Sequence, residues 1–195
     1  MSGINNIKKL LSYSYSDSDI RYYFPNAKIM EYKDLWNYNN LFDILPEDKS
    51  YVFILIETKK RCGHWSVLCR LGNGATDGKL FYFDSYGLGV DEELKYVSPF
   101  WRKELRENEK KLTKLIKDCP YQLFYNAKQL QSRKNFDNTC ARWCILFVLK
   151  FLDGMDIQEF LKYVEIGTET MGIESAGKLK YSIFVINKIN YMPNV

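Results

Sequence analysis

From Cys140 to Phe151 the chain reads Cys-Ala-Arg-Trp-Cys-Ile-Leu-Phe-Val-Leu-Lys-Phe, and a helix over that run is apolar on nearly every side. Trp143, Ile145, Leu146, Val148 and Leu149 leave it no wet face, so other elements must wrap it. Asn138-Thr139 offers side chains that cap a helix start, and Asp153-Gly154 ends the run. A chain with such a helix at its centre needs a sheet or further helices to bury it.

The sequence supplies both. Tyr51–Ile56 is a continuous apolar, β-branched run, and Trp65–Arg70 and Leu80–Phe83 follow it as further strands. Gly72-Asn73-Gly74 through Asp77-Gly78 reads as the turn between the last two. Three such strands form an antiparallel meander, and Tyr121–Tyr125 is a fourth strand. Helical spacing appears at Ile4–Leu11, Tyr32–Leu45, Glu104–Lys117, Asp156–Val164 and Leu179–Ile189. Ser16-Asp17-Ser18-Asp19 is a cap before Ile20–Phe24. No repeat, low-complexity stretch or long linker divides the chain. The reading is one α+β domain over residues 1–195, a small mixed or antiparallel sheet packed on the central helix.

At 195 residues, 46% hydrophobic and 27% charged, the composition is that of an ordinary globular protein with one substantial core. The net charge of +4 permits weak contact with nucleic acid without requiring it. The basic stretch Arg102–Lys117 is interleaved with Glu104, Glu107 and Glu109, which fits a solvated helix face. Five scattered cysteines form no disulfide framework and point to a reducing compartment. No apolar run is long enough to span a bilayer, and no signal peptide opens the chain. No cofactor-binding pattern is present, and a monomer is expected.

His64 is the only histidine. It begins the second strand of the meander, and Asp84 ends the third. Antiparallel neighbours joined by a hairpin put those two ends side by side. Cys140 sits where the buried helix begins. There, unpaired N–H groups and the helix dipole favour a thiolate. Gln131, in the loop feeding that helix, carries an amide that can donate to an oxyanion. Base, orienting acid, nucleophile and oxyanion donor are the parts of a thiol hydrolase. Gln129 is a rival for Gln131. Cys144 is a rival nucleophile, but one turn into the helix it reads as core. A zinc site from Cys62, His64, Cys140 and Cys144 lacks common ligand spacing and would leave Asp84 and Gln131 idle.

Gly63-His64-Trp65, Phe83-Asp84-Ser85-Tyr86-Gly87, Gln131-Ser132 and Asn138-Thr139-Cys140-Ala141-Arg142-Trp143 together resemble the adenain-like and Ulp1-like cysteine proteases. The versions in large DNA viruses, virophages and Maverick/Polinton elements look most similar, and the likeness runs in order over roughly residues 28–152. The resemblance implies a papain-type fold with His64 as general base, Asp84 as its partner, Cys140 as nucleophile, and Gln131 with the Cys140 N–H as oxyanion hole. It implies a protein substrate, namely capsid or other virion proteins cut after small residues such as Gly, in a host-cytoplasmic viral factory or the virion. Proteases of ubiquitin-like modifiers share these parts, and Ser/Thr acetyltransferases share the His, acid, Cys order. A non-enzymatic nucleic-acid-binding protein is the remaining alternative. Trp65 is expected to border the site beside the imidazole. The family usually has Gly after the nucleophile, and Ala141 stands there instead, with a methyl expected to narrow the substrate groove.

Overall fold

The computed structural model describes residues 2–59, 62–74 and 77–190. Helices α1 (Ser2–Ser12) and α2 (Asp17–Tyr23) lead into strand β1 (Lys28–Glu31). Strands β2 (Tyr51–Lys59), β3 (Cys62–Leu71) and β4 (Lys79–Asp84) form the expected meander. Then come α3 (Pro99–Glu104), α4 (Lys111–Lys117), β5 (Gln122–Tyr125), α5 (Cys140–Leu152), α6 (Ile157–Thr170) and α7 (Lys180–Lys188). The five strands lie in the order β1-β2-β3-β4-β5. The meander pairs are antiparallel, and both outer strands, β1 on β2 and β5 on β4, are parallel. The result is a single α+β domain on a mixed sheet. The turn expected at 72–78 includes residues 75 and 76, which lie outside the described residues.

Alternation along β3 and β4 splits the core in two. Trp65, Val67, Cys69, Phe81 and Phe83 face α5, whose other sides are covered by α2, α6 and α7 through Ile20, Phe160, Val164, Phe184 and Val185. Phe83 stacks on Phe147 of α5 with ring centroids 4.8 Å apart. The opposite face, with Val52, Ile54, Ile56, Leu68, Leu80 and Tyr82, packs on α4 and the 3-10 turns.

Two expectations need correction, and one strand has no counterpart among them. Tyr32–Leu45 is not one helix but two 3-10 turns, Tyr32–Asn37 and Leu41–Asp43. Asn40 separates them by accepting the N–H of Phe42 on its side chain, which is how Asn competes with helical bonding. Of Glu104–Lys117 only the second half is helix, as α4, and Glu104 is the last residue of α3. Arg106 turns left-handed at φ 55°, and the buried Glu107 carboxylate accepts the N–H of Glu57 on β2 at 3.0 Å. A surface helix would have left that carboxylate in water. Strand β1, four residues long, carried too short a pattern to be read.

Truncating the stacked ring tests the enclosure of α5. Phe147→Ala should cost ~3–5 kcal/mol, as for other buried Phe deletions. In a domain of this size that lowers the thermal midpoint by roughly 10 °C. Calorimetry of the variant measures it, and a change of a degree or two would place Phe147 outside the core.

Candidate active site

His64 and Asp84 meet as the meander requires. Asp84 pairs in register with Ser66, two residues from His64 on the same face. The imidazole Nε2 lies 3.0 Å from Asp84 Oδ2, and both side chains are buried. Gly63 permits the approach of β3 to β2 here, since a Cβ on it would sit 2.1 Å from the Ile56 carbonyl oxygen. The other carboxylate oxygen, Oδ1, accepts the Tyr86 N–H at 2.7 Å. Burial alone would depress His64. The Asp84 charge and hydrogen bond outweigh it, with the Cys140 thiol as a further hydrogen-bond partner, and hold the ring well above the ordinary value of 6.5. With Nε2 on Asp84, Nδ1 is the nitrogen that faces Cys140.

Cys140 opens α5 at the floor of a cleft of about 930 Å³ that His64, Trp65, Tyr86 and Gln131 also line. Thr139 occupies the helix cap position, yet its hydroxyl makes no cap bond. It donates instead to Asp137 Oδ1 at 2.6 Å. The first-turn N–H groups therefore keep their donor capacity toward the cleft, where a developing oxyanion would sit.

Gln131 is fixed from three directions. Its Oε1 accepts from Ser85 Oγ at 2.6 Å, its Nε2 donates to the Asp137 carbonyl at 2.6 Å, and its backbone N–H donates to the Ser85 carbonyl at 2.9 Å. A carbonyl can only accept, so the amide nitrogen must face Asp137, and its second N–H is left for the cleft. Gln129 does not compete for this role. Its amide donates to the Gln131 carbonyl at 2.8 Å and braces the loop.

Cys144 is fully buried, burial pushes its thiol well up, and its Sγ lies 3.3 Å from the Trp65 carbonyl it donates to. It is core, as its place in the helix suggested. Among the described residues, no cluster of three or more His, Cys, Asp and Glu side chains could hold a metal ion. No helix among them is long and apolar enough to cross a membrane.

The two expected substrate contacts fare differently. Trp65 does line the cleft, with its indole N–H tied to the Tyr15 carbonyl at 3.2 Å. The ring lying on the imidazole is Tyr86, stacked at 4.5 Å and 15°. Ala141 is fully buried and packs into the core around α5, so its methyl does not narrow the groove. The second residue of a helix points away from the end at which Cys140 faces the cleft, and here that direction is inward.

Four supporting residues were not singled out from the sequence. Ser85 and Tyr86 entered only as part of the Phe83–Gly87 motif, with no role of their own. Asn126, fully buried, clamps Asp84 by accepting its N–H at 2.9 Å and donating to its carbonyl at 2.7 Å. Asp137, also buried, accepts from Ser132 N–H, Thr139 Oγ and Ser182 Oγ and so shapes the loop before Cys140. A lone polar residue at the end of an apolar strand, and an acid three residues before a helix start, were the available signals.

No family model matches the chain. A protein of the Sputnik virophage, described as uncharacterized protein V9, is 36% identical to it over 139 residues, covering 71% of this chain and 75% of that protein.

Because His64 is the sole histidine, its ring resonances titrate alone in an NMR experiment. Asp84→Asn removes the larger raising cause and leaves burial opposed only by Cys140, so the midpoint should fall. In the native protein the raised value means the pair's stabilisation is complete below 6.5 and fades as pH climbs through the folded midpoint. A midpoint unmoved by the substitution would remove Asp84 from control of the ring.

Proposed function

The chain belongs to the same family as protein V9 of the Sputnik virophage, and we propose that it is a cysteine endopeptidase of the adenain/Ulp1-like, papain-type kind. One observation carries this reading. The only imidazole in the chain holds Asp84 on one nitrogen and has the Cys140 thiol beside it, at a helix start whose N–H groups have no side-chain cap.

The chemistry follows from those positions. His64 takes the thiol proton, and the Cys140 sulfur attacks the scissile carbonyl carbon. Negative charge moves to the carbonyl oxygen, facing the Cys140 N–H and the remaining Gln131 N–H. As the C–N bond breaks, the imidazolium returns the proton to the departing nitrogen and leaves a thioester on Cys140. A water, deprotonated by His64, attacks the thioester carbon, releases the acid and restores the thiol. Asp84 orients the ring and stabilises its charged form.

The substrates proposed are capsid or other virion proteins, cut after Gly in extended linkers. Two aromatic side chains, Trp65 and Tyr86, line the cleft at His64 and favour a small residue at the cut. A virophage relative accords with a role in virion assembly. Work in a viral factory or virion and a monomeric state belong to the same proposal.

Incubation with co-encoded capsid proteins, with new termini read by mass spectrometry, tests the activity. Cys140→Ala should abolish cleavage, a loss on the order of 10³-fold or more, while Cys144→Ala should keep it. Gln131→Ala should lower kcat by roughly 10²-fold with little change in KM, because its amide meets charge only in the transition state. Cleavage that survives Cys140→Ala would remove the nucleophile and the reading with it.

A further inference from the structure

His64 gives its proton to the departing nitrogen, so the chain after the cut must leave over the imidazole. Tyr86 covers that ring at 4.5 Å. Beyond it opens a second pocket of about 160 Å³, walled by Tyr86, Tyr96, Arg133 and Glu93. A cavity of roughly 150 Å³ accommodates a benzene ring, so this pocket has room for the end of one long side chain. Glu93 lines both the pocket and the catalytic cleft.

Glu93 is anomalous for an acid. It is only 5% exposed, and its Oε2 is buried with no hydrogen-bond partner among the described residues. Buried carboxylate oxygens are normally satisfied, because an unmet one costs its full desolvation. The one cation in the pocket wall does not satisfy it. Arg133 lies over the Tyr86 and Tyr96 rings and donates to Tyr96 Oη at 3.1 Å, and it makes no ion pair with Glu93. The wider cleft has the same sign. Asp17, Asp34, Glu93 and Glu31, the last paired with Lys33, line it against Arg21 and His64, in a chain whose net charge is +4. A cleft opposite in sign to its protein draws cationic segments in.

Resting on the endopeptidase reading, we propose that Glu93 is a specificity-determining residue. It accepts the cationic end of a Lys or Arg carried by the substrate at the first or second position after the cut. The ammonium or guanidinium supplies the donor that Oε2 lacks, and its stem enters beside Arg133, which already covers the Tyr86 and Tyr96 rings. The preferred substrates are therefore basic on the amine side of the scissile bond.

The test compares peptides identical except for Lys or Gln at those two positions, with Gly fixed before the cut. Wild type should cleave the Lys peptides with a kcat/KM about tenfold higher, the scale of one charge-assisted hydrogen bond. Glu93→Gln should bring the Lys-to-Gln ratio to about one, and Glu93→Lys should favour Glu over Lys at the same positions. Because each ratio is taken within one enzyme, the fraction of folded protein cancels. Wild-type cleavage indifferent to Lys, or a preference that survives Glu93→Gln, overturns the assignment and leaves the endopeptidase reading standing. No cleavage of any peptide or capsid protein by wild type overturns both.

Discussion

A helix without a polar face has to be enclosed on every side, and that requirement organises this fold. The sheet covers one flank of α5, and α2, α6 and α7 cover the others. Enclosure holds the helix axis firmly, while its first residue stays at the cleft. Cys140 is thus a half-buried side chain at the start of a helix whose next eight residues are buried. The same packing that stabilises the domain sets the position of its thiol against β3, and β3 carries His64.

The polar part of the site is built differently, from short loops cross-linked by hydrogen bonds. Four consecutive residues from the last of β4 onward each have a separate task. Asp84 holds the imidazole, Ser85 holds Gln131, Tyr86 lies on the imidazole, and Gly87 turns the chain. At φ 72° a side chain on Gly87 would be strained, and its Cβ would sit 2.7 Å from the Lys128 carbonyl carbon. Asn126 then fastens the start of this tetrapeptide to the end of β5.

What the sequence made legible follows from the range of each signal. The meander, α5 and the meeting of His64 with Asp84 depend on period-two and all-apolar patterns, which local residues carry in full. The breaks at Asn40 and Arg106 depend on single side-chain bonds, one local and one to a strand far away in sequence, and helical spacing does not register them. Ala141 was misplaced because a neighbour in sequence was taken as a neighbour in the cleft, whereas helix geometry turns each residue by about 100° from the last. Asn126, Asp137 and Glu93 act through tertiary placement alone. Each looks like a surface polar residue until the fold buries it.

The hydrogen bonds of Asp137 and Arg142 give the domain an order of assembly in time. Asp137 shapes the loop before Cys140 and takes one of its bonds from Ser182, while Arg142, in the first turn of α5, donates to the Ile189 carbonyl at 3.2 Å. Both partners belong to the last stretch of described chain to leave the ribosome. A nascent polypeptide that has reached only residue 179 already contains His64, Asp84, Gln131 and Cys140. Yet it lacks these two bonds, and the helix start and its loop are tied to the N-terminal segment, through Arg142 to Tyr13 and Asn138 to Leu11. The Cys140 thiol gains its full setting only when α7 has emerged and docked.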